Sequence, residues 1–244
     1  MNDEQKAFWS ERQKTYGHTG WWDPAIYAYD QLERLAIVKK KIEGFSLTSW
    51  RALDFGCGTG DFARMLHDLG AEVVAYDPYI APQNGSDDVR YVNDFEAVRS
   101  MASLFDIVLC VTVLDHIVDE AEFIEILHVL KGVGTASAHY LFLEYATDEA
   151  VESPKAYQAM RSLPTWRDCL SKAGLAMVEA MPLPHPLEAP SPGYLAYMQA
   201  VENEQVSEPD LKAQACRFLD KFGIGSVDQS PFKLLHCLSQ AAGE

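Results

Sequence analysis

Short apolar runs alternate along the chain with segments in which apolar residues recur every three or four positions. The runs are typical of buried strands, and the spaced positions are typical of amphipathic helices. Because strands that alternate with helices form a parallel sheet with crossover helices, the pattern predicts an α/β fold. The predicted strands are 51–55, 72–76, 89–92, 105–111, 138–145 and 175–181, and the helices between them are 61–69, 95–101, 120–130 and 165–173.

Both ends of this region carry further helical patterns. Before the first strand, an aromatic segment that starts at Tyr16 leads into an amphipathic helix. After the sixth strand, the proline-punctuated segment 181–193 leads to two helical stretches, 194–206 and 209–222, and then to a final apolar strand, 232–240. If the final strand is antiparallel to the sixth, the helical insertion starts at the carboxyl ends of the strands, where doubly wound sheets bind ligands. We therefore expect the insertion to form a lid.

These elements predict a single domain over residues 1–244, since 244 residues with 48% hydrophobic content suffice for one sizeable core. Its fold class is α/β, with a doubly wound, seven-stranded, mostly parallel sheet whose last strand is antiparallel. The expected layout is an N-terminal helical cover (1–48), a Rossmann-like core (49–183 and 231–240) and a helical lid insertion before the last strand (184–230).

Charge and cysteine content limit the classes of partner and metal site that we expect for this chain. The formal net charge of -16 would repel phosphate backbones and anionic lipids, so we expect no nucleic acid or membrane partner. The five cysteines form no CxxC pair and mostly lie in apolar segments, which indicates reduced core residues and no metal site. With a polar amino terminus and no run of about 18 apolar residues, we expect a cytoplasmic protein, either a monomer or a homodimer.

A glycine-rich turn follows the first predicted strand in LDFGCGTGDFA, residues 53–63. Such a turn lets backbone amides approach a ligand at the positive end of a helix. Gly58, Gly60 and Ala63 satisfy the dinucleotide fingerprint, and Asp77 stands where an acid would bind a ribose. A nicotinamide-dependent oxidoreductase is therefore one interpretation, which a lack of stabilisation by NAD or NADP would remove.

An aspartate two residues before the first glycine favours another interpretation. Asp54 completes a D-x-G-x-G-x-G array that resembles the first motif of the class I S-adenosylmethionine-dependent methyltransferases. Later segments resemble further motifs of that family in order, although the last lacks the proline of the usual LKPGG turn. They are VVAYDP (73–78), VNDFEAV (92–98), FDIVLCVTVLDHI (105–117) and LKGVGTASAHYLFLEYA (130–146). The ordered series spans 52–181 and is far more specific than any one motif.

The resemblance implies S-adenosylmethionine as the cofactor, bound across the carboxyl edge of the sheet. The glycine turn would face its amino acid portion, Asp77 its ribose, and Asp94 with Phe95 its adenine, whereas Cys57 also fits a simple packing role. The predicted cofactor-binding residues are Asp54, Gly56, Cys57, Gly58, Asp77, Pro78, Asp94, Phe95 and Val111.

Methyl transfer requires alignment and exclusion of water, with a base only where the acceptor atom starts protonated. Asp115 and His116 follow the fourth strand, and the aromatic segment near the amino terminus is suited to cation-π contacts with a sulfonium. Each of these residues also fits a structural role. The candidate catalytic residues are His116, Asp115, Tyr16 and His18, and the candidate substrate residues are Trp21, Tyr29, Tyr145 and Tyr194.

The expected function is methyl transfer to the N, O or C atom of a small metabolite, because helical caps and an acidic surface favour a small, enclosed acceptor. Two alternatives keep the same cofactor. In one, attack at the aminobutyrate carbon gives 3-amino-3-carboxypropyl transfer or a cyclic amino acid and releases methylthioadenosine. In the other, the chain is a non-catalytic cofactor-binding protein.

Overall fold

A mostly parallel sheet organises the computed structural model, which describes residues 3–45, 49–79, 88–151, 156–203 and 208–240. Its strands lie in the order β3-β2-β1-β4-β5-β8-β7, and a two-residue strand, β6, pairs with β5 beside this path. The last strand is antiparallel to β5, and the pairs that β1 forms with β2 and β4 are parallel. The bounds are β1 Arg51–Phe55, β2 Glu72–Tyr76, β3 Arg90–Val92, β4 Phe105–Val111, β5 Gly134–Thr147, β6 Arg161–Ser162, β7 Leu175–Pro182 and β8 Phe232–Ser239.

This topology confirms the predicted doubly wound α/β fold with an antiparallel last strand. Strands β1, β2 and β4 have the predicted bounds because their apolar runs are buried on both faces, as parallel strands usually are. Strand β6 was not predicted, since two residues carry no readable period.

Eight α-helices surround or follow these strands within the described residues. Asp119 and Ser162 cap α5 and α6 by accepting backbone N–H groups, and Asp23 and Ser191 do the same for α2 and α7. Two short 3-10 turns lie at Leu114–His116 and Glu208–Asp210. The bounds are α1 Asp3–Tyr16, α2 Pro24–Ile42, α3 Asp61–Asp68, α4 Phe95–Arg99, α5 Glu120–Val133, α6 Leu163–Lys172, α7 Pro192–Glu202 and α8 Leu211–Phe222.

Two of the differences from the sequence prediction, in helices α1 and α5, have a clear physical reason. Helix α1 was not predicted, because its residues are mostly polar and show almost no hydrophobic periodicity. Helix α5 was predicted over 120–130 but continues through Gly132 to Val133, and Gly134 ends it. A glycine in an exposed helix interior weakens the helix without breaking it, which explains the extra turn.

The chain forms two compact units. The first holds the sheet and comprises 1–18, 47–181 and 231–244, and the second comprises 19–46 and 182–230. The second unit has its own apolar core, in which Tyr29 and Tyr197 are the largest fully buried side chains. Residues 3–18 of the predicted cover thus belong to the unit with the sheet, because α1 packs on that unit through its aromatic side chains. The assignment of all 244 residues to one domain with a lid stays a prediction.

None of the helices in the described part of the chain combines the length and the apolar composition needed to cross a membrane.

Candidate active site

The turn after β1 has a backbone that only glycine adopts without strain. Gly56, Gly58 and Gly60 have φ angles of 80°, 50° and 78°. The amides of Gly56 and Cys57 both donate to the carbonyl oxygen of Tyr76, which joins the turn to the end of β2. A Cβ atom on Gly56 would clash with the side chain of Val113, so the turn also lies directly against the segment that follows β4.

Asp77 connects this turn to the next strand. Its Oδ2 accepts the amide of Gly58 at 3.1 Å, and its Oδ1 accepts the amide of Tyr79 at 2.9 Å. A carboxylate accepts several hydrogen bonds at once, so its role here is that of a hydrogen-bond acceptor at the end of β2. Pro78, next in the chain, is exposed at the same edge.

Asp54 is a buried carboxylate at the end of β1, with 2% of its surface exposed. The amide of Ala63 donates to it, and burial together with the charges of Asp77 and Asp61 raises its pKa to about 7. Its Oδ2 atom has no hydrogen-bond partner among the described residues. A buried carboxylate oxygen without a donor is costly unless a ligand supplies one, so this position fits a cationic group such as the amine of an amino acid.

Cys57 is buried within the same turn. Burial and the neighbouring charges of Asp54 and Asp77 raise the pKa of its thiol, so the reactive thiolate is disfavoured. This environment favours the packing role for Cys57.

Three aromatic rings line the edge beside β2 and α4. Phe55 and Tyr76 stack with centroids 4.9 Å apart, and Phe95 lies 6.1 Å and 5.9 Å from them. Asp94 is exposed and caps α4, its Oδ1 accepting the amide of Glu96 at 3.0 Å. Phe55 and Tyr76 belong to the buried core, so the half-buried Phe95 is the ring of this cluster that is suited to contact a flat heterocycle.

The segment after Val111 holds Asp115 and His116. The Nδ1 atom of His116 lies 3.2 Å from the carbonyl oxygen of Tyr157, and since a carbonyl only accepts, Nδ1 carries the proton. The Nε2 atom lies 3.6 Å from Oδ1 of the buried Asp115, whose Oδ2 accepts a 2.7 Å hydrogen bond from Gln158. A neutral His116 would thus present Nε2 as its acceptor, and Asp115 would stabilise a proton placed there.

Helix α1 contributes rings to this histidine that the sequence analysis did not single out. The Trp9 ring lies 4.5 Å from that of His116, and Phe8 stacks on Tyr157 at 4.8 Å. The rings of the predicted Tyr16 and His18, at the end of α1 and just beyond it, lie 6.2 Å apart. Burial and the charge of Arg12 lower the pKa of His18. The described contacts thus connect α1 to His116 through Phe8 and Trp9.

Of the four candidate substrate residues, Tyr145 lies on β5 in the unit with the sheet. Its ring packs 5.7 Å from that of Phe232. The other three belong to the second unit: Trp21 donates to Asp30 at 2.7 Å, and Tyr29 and Tyr194 lie 5.6 Å apart in that unit's core. Their roles toward a substrate stay predictions.

Three buried polar residues lie near Asp115: Glu144, Gln158 and Arg161. The sequence analysis missed Gln158 and Arg161. Glu144 sits within the apolar run of β5, and a lone acid in such a run is a usable sequence signal of a buried interaction. Gln158 and Arg161 follow an irregular segment without periodicity, so nothing in the sequence distinguishes them from surface residues.

Comparisons with known proteins indicate one family. The family described as methyltransferase domain matches residues 27–180. A ubiquinone biosynthesis O-methyltransferase of Methylocella silvestris is 38% identical over 89 residues, which is 32% of this chain and 34% of that protein. The chain thus spans about a third of the length of that relative.

Solved structures agree in fold. The 1,6-didemethyltoxoflavin-N1-methyltransferase of Burkholderia thailandensis, bound to 1,6-didemethyltoxoflavin and S-adenosylhomocysteine, has a TM-score of 0.56 at 14% identity and covers 98% of this chain and 90% of its own. A phosphoethanolamine N-methyltransferase of Haemonchus contortus, in complex with phosphomonomethylethanolamine and S-adenosylhomocysteine, has a TM-score of 0.60 at 15% identity, with 96% and 60% covered. At such identities the likeness concerns the class I fold alone.

Proposed function

The chain belongs to the methyltransferase domain family, and from that premise we propose that it is an S-adenosylmethionine-dependent transferase that methylates an N, O or C atom of a small metabolite. One observation carries the proposal: the glycine turn, Asp77 and the segment after β4 follow three neighbouring parallel strands at their carboxyl ends. Ligands of doubly wound sheets bind at this edge.

In this proposal the edge holds the cofactor from β3 to β4. Asp77, which the amides of Gly58 and Tyr79 hold at this edge, binds the ribose hydroxyl groups through its carboxylate, and Phe95 contacts the adenine. Asp54 faces the cationic amino acid portion, which supplies the donor that its buried Oδ2 lacks among the described residues. When bound, the cofactor supplies an electrophilic methyl group on a sulfonium.

The acceptor binds beside the segment 111–116. Where its reacting atom is protonated, His116 takes the proton on Nε2, since the Tyr157 carbonyl holds the proton of Nδ1. Asp115 then stabilises the imidazolium from 3.6 Å. The ring of Trp9, 4.5 Å from that of His116, packs against the imidazole and fixes its place.

Two findings support a small acceptor. The relative described above is named for O-methylation in ubiquinone biosynthesis. The formal charge of -16 disfavours nucleic acid as the alternative.

The test is product analysis by liquid chromatography and mass spectrometry. Purified protein is incubated with methyl-deuterated S-adenosylmethionine, with and without a small-metabolite extract. The proposal predicts S-adenosylhomocysteine that depends on the extract, together with a deuterated small product. Methylthioadenosine above the enzyme-free background would instead indicate attack at the aminobutyrate carbon. Cofactor binding without any turnover in a range of extracts would favour the non-catalytic alternative.

A further inference from the structure

The segment after β4 has an unfavourable backbone conformation at its first turn. Thr112 has φ of 52°, in the left-handed region that a β-branched residue rarely adopts. Its amide still donates to the Leu143 carbonyl at 2.9 Å, so the sheet holds the residue up to this point. A strained residue persists only where surrounding contacts fix it, and such residues concentrate at functional sites.

Glu144 on β5 supplies those contacts. Its Oε1 accepts the amides of Val113 and Leu114, each at 3.0 Å, and its Oε2 accepts the amide of Asp115 at 3.1 Å. The side chain is fully buried, and burial and the charge of Asp115 raise the pKa of its carboxyl group. Three consecutive amides that converge on one carboxyl group fix the path of the chain immediately before His116.

The opposite side of the segment is held by a buried cation. Arg161 donates to the carbonyl oxygens of Leu114 and Ile117, and its guanidinium lies 3.7 Å above the Phe123 ring. The amide of Ala159 donates to the Asp115 carbonyl. Two side chains and one backbone amide therefore satisfy both donors and acceptors of one short stretch of backbone, which restricts its conformation.

We propose that Glu144 is a positioning residue for methyl transfer: it sets the place of His116 on the acceptor side and of Val113 against the glycine turn. This inference rests on the proposed function. Glu144 does not touch the acceptor in this account, since it is fully buried behind the segment that it holds. A displacement of about 1 Å at a reacting group lowers turnover by about 100-fold. The hydrogen bonds by which Glu144 fixes the segment before His116 therefore affect kcat directly.

Glu144→Gln is the sharpest perturbation because the two side chains have the same shape. The amide oxygen of glutamine retains the two hydrogen bonds from Val113 and Leu114. Its NH2 group then faces the Asp115 amide, so a donor meets a donor and that end of the segment is released. The substitution therefore loosens the segment at the end that carries His116.

The experiment compares kcat, the acceptor KM, the Kd for S-adenosylhomocysteine and amide hydrogen exchange in wild type and Glu144→Gln. We expect kcat to fall about 10- to 100-fold with Kd changed less than about threefold, and the Asp115 amide to exchange faster. Leu170→Ala, in the core on α6, is the control: it lowers stability without loosening the segment, and its kcat per folded molecule should equal that of wild type.

Glycine accepts the left-handed conformation at position 112 without strain, so Thr112→Gly is combined with Glu144→Gln to restore folding should the single variant be unstable. Turnover of the double variant should stay low. Unchanged kcat per folded molecule, or unchanged exchange of the Asp115 amide, overturns the positioning role. If the proposed function is wrong, wild type will form no acceptor-dependent S-adenosylhomocysteine. Amide hydrogen exchange tests the role of Glu144 in the segment whether or not the protein transfers a methyl group.

Discussion

The buried carboxyl group of Asp54 makes the stability of the ligand-free protein depend on pH. Its pKa is about 7 in the folded chain, raised mainly by burial, against 3.8 as the ordinary value. Between these values the folded state binds a proton that the unfolded state does not, so stability falls as pH rises. The contribution of Asp54 to the free energy of unfolding is fully present below its pKa in the unfolded state. It is lost as the pH rises through its pKa in the folded state.

The size of this effect follows from the shift. One pKa unit corresponds to about 1.36 kcal/mol, and nearly two units of the shift are titrated between about pH 5 and about pH 8. Asp54 should therefore lower the free energy of unfolding by about 2.5 kcal/mol over that interval. An asparagine at this position would keep an acceptor for the Ala63 amide and cannot ionise, so Asp54→Asn removes the pH-dependent part alone.

The assay is urea unfolding of wild type and Asp54→Asn at both pH values. Glu33, whose pKa burial raises to about 7, and Glu144 contribute equally to both proteins and cancel in the difference. We expect wild type to lose about 2.5 kcal/mol more than the variant. The same pH dependence in both proteins would refute the assignment of this titration to Asp54.

Three further predictions, two of them with a comparison variant, test other parts of the site. Asp77→Ala should weaken S-adenosylhomocysteine binding by about 1.5–3 kcal/mol in calorimetry, the value of a hydrogen bond to a charged group, and wild-type affinity would remove its ribose role. Gly56→Ala should cost about 1–3 kcal/mol of stability in thermal unfolding because of its φ of 80° and the clash across the turn. Gly132→Ala is the control for a glycine-to-alanine change without strain, and it should stabilise the protein because the added Cβ lies in open space on a helix. Trp9→Ala should lower kcat/KM for the acceptor about two- to tenfold, the value of one aromatic contact, and Trp9→Phe should recover part of it; equal kinetics would make the ring structural.

The sheet was predictable because each strand is recognisable from its own residues. An apolar run such as Phe105–Val111 predicts a buried strand from its own residues, and its bounds agree with the structure. The glycine turn is equally local, since positive φ angles at three glycines follow from the spacing in the sequence. Helix α1 gave no such signal, because it is held by contacts of Phe8 and Trp9 with residues more than a hundred positions away.

The acceptor side of the site was predictable only in part for the same reason. Asp115 and His116 follow a predicted strand, so their place beyond its carboxyl end was predictable, and their roles stay predictions. Glu144 is 29 to 31 residues from the amides that it accepts, and Arg161 is 47 from the carbonyl of Leu114. These hydrogen bonds arise from strand order and register, which no short motif encodes.

Methyl transfer at the edge that holds Asp77 is tested most directly by following a deuterated methyl group with wild type and with Asp77→Ala, at low and at saturating cofactor concentration. We expect label on a small product with wild type and much less label with the variant at low cofactor concentration. At saturating cofactor concentration, labelling by the variant should recover. Label that stays in the cofactor or in methylthioadenosine, or equal transfer by both proteins at low cofactor, would contradict methyl transfer from this site.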